Sequence, residues 1–184
     1  ISTRAAVVPI DTDGNRGRMT GNMENMGPGA EQAVVVYVPE TKRLVAVWMM
    51  SFMDMDYGQN QRQNGPWQGV CKAFEMRENG PPVAVSDEKV GKYPFMKTGP
   101  GIVALSNNDT NRPYNHPRVA SDGKHIVITY GTNVNNNGRT ATYVMAIDSS
   151  CKTLVDPIRV SKKADEDEGA PDITFTGVDP ATGA

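Results

Sequence analysis

Asp11, Asp13 and Asn15 set side-chain oxygens at alternate positions of Asp11-Thr12-Asp13-Gly14-Asn15-Arg16-Gly17, the spacing with which a calcium loop presents its first ligands. The match stops there. Arg16 stands where an EF-hand needs glycine, and Asn22 stands where a bidentate Glu would complete the shell. A plain Asp-Gly turn is the preferred reading, and calcium at these three residues is the single cofactor kept in view. A second group combines rings, amides and carboxylates: Asp54, Asp56, Tyr57 and Trp67 in one segment, then Asn107, Asn108, Asp109, Tyr114 and His116 in another. Rings stack on apolar faces while polar tips fix hydroxyls or amines, so this is binding chemistry, suited to a sugar, a peptide or a cation, with contact to another protein chain as the competing reading.

Support for catalysis is thin. Asp54, Asp56 and Asp109 could converge as paired carboxylates of a glycoside hydrolase, but carboxylates on loops are too common to be diagnostic. The chain has two histidines, His116 and His125, and no GxSxG, HExxH, phosphate-loop or dinucleotide fingerprint. No catalytic residue is assigned. Met49, Met50, Met53 and Met55 lack the Cys or His neighbours that soft-metal sites enlist, so packing explains them. The run Asp165-Glu166-Asp167-Glu168 reads as a solvated acidic loop. Cys71 and Cys151 form no CxxC, which excludes a zinc ribbon or a thioredoxin-like site; two unrelated thiols is the simplest reading, and one disulfide of an exported protein is the alternative.

The elements that must hold these residues are strands. A chain of 184 residues with 18 Gly and 13 Pro is turn-dense, and 38% hydrophobic content places it among globular proteins. A net charge of −2 gives no reason to expect nucleic acid, and no apolar run is long enough to span a bilayer. The start Ile1-Ser2-Thr3 lacks an initiator Met and an apolar leader, and so reads as processed or truncated. Val34–Val38 and Leu44–Trp48 are β-branched and aromatic runs around a tight turn; 117–120 and His125–Tyr130 repeat the arrangement around Asp122-Gly123. No segment carries a sustained helical period.

These hairpins are copies of one another. Val38–Trp48 lies on Ala120–Tyr130 without a gap at an offset of 82, Val70–Met76 falls near Thr142–Asp148, and Val83–Ser86 falls on Ile158–Ser161. Partial copies flank them: Thr3–Asp11 matches Thr140–Asp148, and Pro171–Phe175 restarts the first strand. The expected organisation is the second half of a unit over 1–29, a whole unit with long loops over 30–115, a whole unit over 116–169, and the opening strand of the next over 170–184. Four-stranded antiparallel units in tandem predict an all-β fold, the blades of a β-propeller present in part; a β-sandwich is the alternative.

Pro117-Arg118-Val119-Ala120-Ser121-Asp122-Gly123-Lys124-His125-Ile126-Val127-Ile128-Thr129-Tyr130, followed by Leu154-Val155-Asp156-Pro157-Ile158-Arg159-Val160-Ser161, resembles the repeats of large exported bacterial β-propeller proteins. Tyr130 departs from the usual Trp, which Trp48 keeps. The resemblance implies an extracellular, cell-surface or periplasmic protein with a binding or structural role, and it carries over no catalytic residue. Strand order puts the loops 51–67 and 95–115 at one end of the units, which makes Asp54, Asp56, Tyr57, Trp67, Asn107, Asp109, Tyr114 and His116 the expected ligand or partner face. The expected partners are another protein chain, the rest of the same propeller, or carbohydrate. A fragment of a propeller enzyme acting on polysaccharide and a subunit of a large envelope assembly are the competing functions.

Overall fold

The computed structural model describes residues 4–6, 25–28, 30–51, 67–77, 82–86, 103–105, 115–132, 139–161 and 171–177. Among them the protein is all-β, with no helix. Eleven strands run in chain order: β1 (Arg4–Ala6), β2 (Asn25–Pro28), β3 (Ala30–Val38), β4 (Arg43–Ser51), β5 (Trp67–Glu75), β6 (Val83–Ala84), β7 (Val103–Ala104), β8 (Asn115–Ser121), β9 (His125–Thr132), β10 (Ala141–Asp148) and β11 (Thr153–Arg159). The β-branched runs fall where the sequence placed them, at β3, β4, β8 and β9. A small sheet pairs β1 with β2; sheet I follows β3-β4-β5-β6 with β7 also on β5, and sheet II follows β8-β9-β10-β11. Every pairing is antiparallel.

Alternation along each strand decides what faces what. In sheet I, Val45, Val47, Met49, Cys71 and Ala73 turn one way, and they share a core with Ile126, Ile128, Tyr130, Met145 and Ile147 of sheet II. The rings of Tyr130 and Tyr143, cross-strand partners, stack at 5.9 Å and 16°. Ala46, Trp48, Val70, Lys72 and Phe74 occupy the opposite face of sheet I, and all five are buried as well. Both faces of sheet I are therefore covered, which is why β4 reads as a continuous apolar run and not an alternating one.

Cys71 and Cys151 are bonded to each other, with Cα atoms 5.9 Å apart, which corrects the reading of two unrelated thiols. Sequence separation of 80 residues hid the pairing; stacking of the two sheets creates it. The hairpins at that end are also coupled: the Glu40 amide donates to Gly123 O, and the Arg43 guanidinium donates to Ser149 O and Ser150 Oγ.

The ladders of the two sheets correspond position by position. Val47 pairs with Val34 and Cys71; Thr129 pairs with Arg118 and Val144. A register shift lies between Glu31 and Val34 in β3 and between Asn115 and Arg118 in β8, and the residue after each start, Gln32 and His116, has a positive φ, 54° and 51°. At the far side, the Leu105 amide donates to Gly69 O and the Val160 amide to Thr142 O. These matches set β9 on β4 at the offset read from sequence, 82, but set β8 on β3 two residues further along, as Gln32 and His116 show. The turn around Gly123 is shorter than the one around Thr41, and an ungapped alignment cannot register that.

Three other expectations change. The fourth strand of sheet I is split: β6 lies beside Phe74 and Glu75, and β7 lies beside Val70 and Cys71. Val103-Ala104, inside the segment expected to be loop, thus takes the place opposite β5 that Ile158-Arg159 takes opposite β10. Trp67 opens β5 and His116 lies within β8, so neither is a loop residue. Residues 171–177 enter no ladder, although a first strand was expected to restart there.

Candidate functional site

Each sheet has a short-hairpin end and a long-connection end. At the first, β3 turns into β4, β8 into β9 and β10 into β11 within a few residues. At the second, Ser51 pairs with Trp67, Asn115 pairs with Gly131, and Ala141 pairs with Thr132, so the segments 52–66, 106–114 and 133–138 all leave from one end. Antiparallel up-and-down order forces this clustering.

Two of the expected face residues are described. Trp67 stands at the mouth of segment 52–66, and His116 is exposed on β8 with φ 51°. The His116 amide donates to Gln32 Oε1 at 2.6 Å, so the irregular residue of β3 holds the irregular residue of β8, and these two strands lie side by side. Gln32 carried no motif; only the ladder of β3 reveals its position. Asp54, Asp56, Tyr57, Asn107, Asn108, Asp109 and Tyr114 lie outside the described residues, as do the calcium candidates Asp11, Asp13 and Asn15. Among the described residues, no group of three His, Cys, Asp or Glu side chains sits together to hold a metal ion.

The hairpin end carries a charged cluster of another kind. Asp122 Oδ1 accepts from the amides of Lys124 and His125, and Asp122 Oδ2 lies 2.9 Å from His125 Nδ1. The backbone hydrogen bond from His125, then its side chain, holds the Asp122 carboxyl at about 2. This is the geometry of a turn lock: the carboxylate is consumed by donors of its own loop and is not poised to act on a ligand.

Sequence reasoning also missed the buried polar groups of sheet I. Lys72 is 1% exposed, with its ammonium 5.3 Å from the centre of the Phe74 ring. Trp48 is wholly buried, and its Nε1 has no hydrogen-bond partner among the described residues. Lys72 was hidden because a lysine in a strand pattern normally marks the solvent face. Comparison of the chain with known protein families, characterised proteins and solved structures finds no match.

Proposed function

We propose that the chain consists of successive blades of a β-propeller belonging to an exported or cell-surface protein, and that it binds a saccharide or a protein partner through its long-connection end without catalysing a reaction. The observation that carries this reading is the shared irregularity of the two sheets: the same bulge, the same positive φ at Gln32 and His116, and the same amide bond from Leu105 and from Val160. Independent sheets of a sandwich have no reason to repeat a bulge, whereas copies of one unit do. Burial of both faces of sheet I favours a stack over a two-layer sandwich, in which each sheet keeps one face in water. Non-catalytic binding is favoured by the composition of the loop end, where the sequence sets rings among amides and carboxylates.

The test is a titration of the ¹⁵N-labelled chain with neutral and acidic oligosaccharides, with sugar release followed in the same tubes. Saturable shifts at the Trp67 and His116 amides, with Asp122 and Ser150 unmoved and the sugars recovered intact, are expected for a saccharide ligand. Shortened sugars would establish the polysaccharide enzyme instead, and shifts confined to the hairpin end would refute the placement of the binding surface.

A further inference from the structure

The turn between β10 and β11, Ser149-Ser150-Cys151-Lys152, holds one end of the disulfide, and its backbone is satisfied without the sulfur. Asp148 Oδ1 accepts from the Ser150 amide at 2.8 Å and from the Lys152 amide at 2.9 Å. Asp148 O accepts from the Cys151 amide at 3.0 Å, and Lys152 O accepts from the Asp148 amide at 2.9 Å. Within this closed set Cys151 has φ 66°, a left-handed conformation that a residue with a Cβ keeps only where its surroundings impose it. A second route ties the turn to the other sheet without passing through sulfur: the Arg43 guanidinium, on β4, donates to Ser149 O and Ser150 Oγ. Cys71 lies inside β5, paired with Val47, and both cysteines sit in the common core, 0% and 1% exposed.

We infer that Cys71 and Cys151 are an oxidative lock that closes on two sheets already docked, with Asp148 and Arg43 as its positioning residues. Asp148 fixes the left-handed turn that carries Cys151, and Arg43 fixes that turn against sheet I, so the two thiols are neighbours before the bond exists. Thiols held in this way have a high effective concentration, because the ordering that joining them requires is supplied by contacts other than the bond. Closure then needs only a disulfide oxidant. One protein thiolate attacks a sulfur of the oxidant and expels the other as a thiolate; the second protein thiolate attacks the mixed disulfide and expels the remaining one. The protein gives up two protons and two electrons, and the oxidant is reduced to two thiols. Once closed, the bond lies in the core, where a reductant reaches it only when the turn opens. The inference goes beyond the proposed function and depends on neither the propeller nor the ligand.

The test equilibrates the chain with mixtures of reduced and oxidised glutathione and reads the effective concentration of the two thiols by alkylation and intact mass. Arg43→Ala, Asp148→Ala and Asp148→Asn are compared with the wild type, and Asp122→Ala, which removes the carboxylate of the neighbouring turn, is the control. The expected result is a fall of at least about tenfold for Asp148→Ala and of about threefold for Arg43→Ala. Asp148→Asn, which keeps the accepting oxygen, and Asp122→Ala should stay near the wild-type value. A role in general stability alone would weaken the oxidised and reduced forms alike and leave every value unmoved, which would overturn the inference. Hydrogen exchange of the fully reduced wild type gives a second reading: the Cys151 and Lys152 amides should remain protected. Exposure of these two amides while β4 and β5 stay protected would show that the bond makes the turn, and loss of protection throughout would show that the sheets dock only through the bond. Either result would overturn the inference.

Discussion

Asp122 and Gly123 carry the turn that starts the second hairpin. Gly123 has φ 99°, a conformation that strains any residue with a Cβ, although a Cβ there would only touch Pro39 Cγ at 3.8 Å. Gly123→Ala is therefore expected to cost about 1 kcal/mol or somewhat more in urea unfolding, through backbone strain and not through a clash. Asp122 is stabilised as the carboxylate: its pKa of about 2 lies below the ordinary 3.8, so its contribution is complete above about pH 4 and is lost as pH falls toward 2. Thermal melts of the wild type should fall over that window by more than those of Asp122→Ala, which is already lower by about 1 kcal/mol at pH 7. Equal acid sensitivity would show that other carboxylates dominate. Trp48 distinguishes volume from polarity. Trp48→Ala should cost about 3 to 5 kcal/mol through the cavity it leaves, while Trp48→Phe should cost under about 1.5 kcal/mol, because the indole N–H it removes is unpartnered among the described residues. Chemical denaturation of the two variants checks both.

At the scale of strands, the β-branched runs announced β3, β4, β8 and β9, and the Asp-Gly pair announced the turn before β9. Two features stayed hidden for physical reasons. A shorter hairpin turn leaves the strand pattern itself unaltered, so the slide of β8 relative to β3 is visible only in the pairing of Asn115 with Gly131 and Arg118 with Thr129. A strand of two residues is shorter than any period that alternation can express, and β7 therefore read as loop, although its Val103 joins the core. Of the candidate site, sequence showed which strand ends carry the long connections, because up-and-down order alone dictates it. It could not show that Gln32 holds His116, a contact made between strands 84 positions apart. Gln32→Ala should leave the fold intact, with unfolding free energy changed by about 1 kcal/mol or less, and should raise hydrogen exchange of the His116 amide, measured by NMR.

For the whole molecule, the Cys71–Cys151 bond spans 80 residues and joins one sheet to the next, so it closes a loop that includes the whole of β6 to β10. In the chain-entropy account such a link contributes about 4 to 5 kcal/mol. Cys71→Ala combined with Cys151→Ala should lower the urea midpoint accordingly, and reduction of the wild type should reproduce the loss. The two sheets share a bulge pattern and a common core, and the proposal reads them as neighbouring blades of a ring. The most direct test of that claim is an electron-microscopic reconstruction of the native-length polypeptide. The account predicts a closed toroid of roughly 6 to 8 blades, with β3 and β8 nearest the central channel. A closed two-layer particle, in which no further sheet stacks on β8–β11, would contradict it.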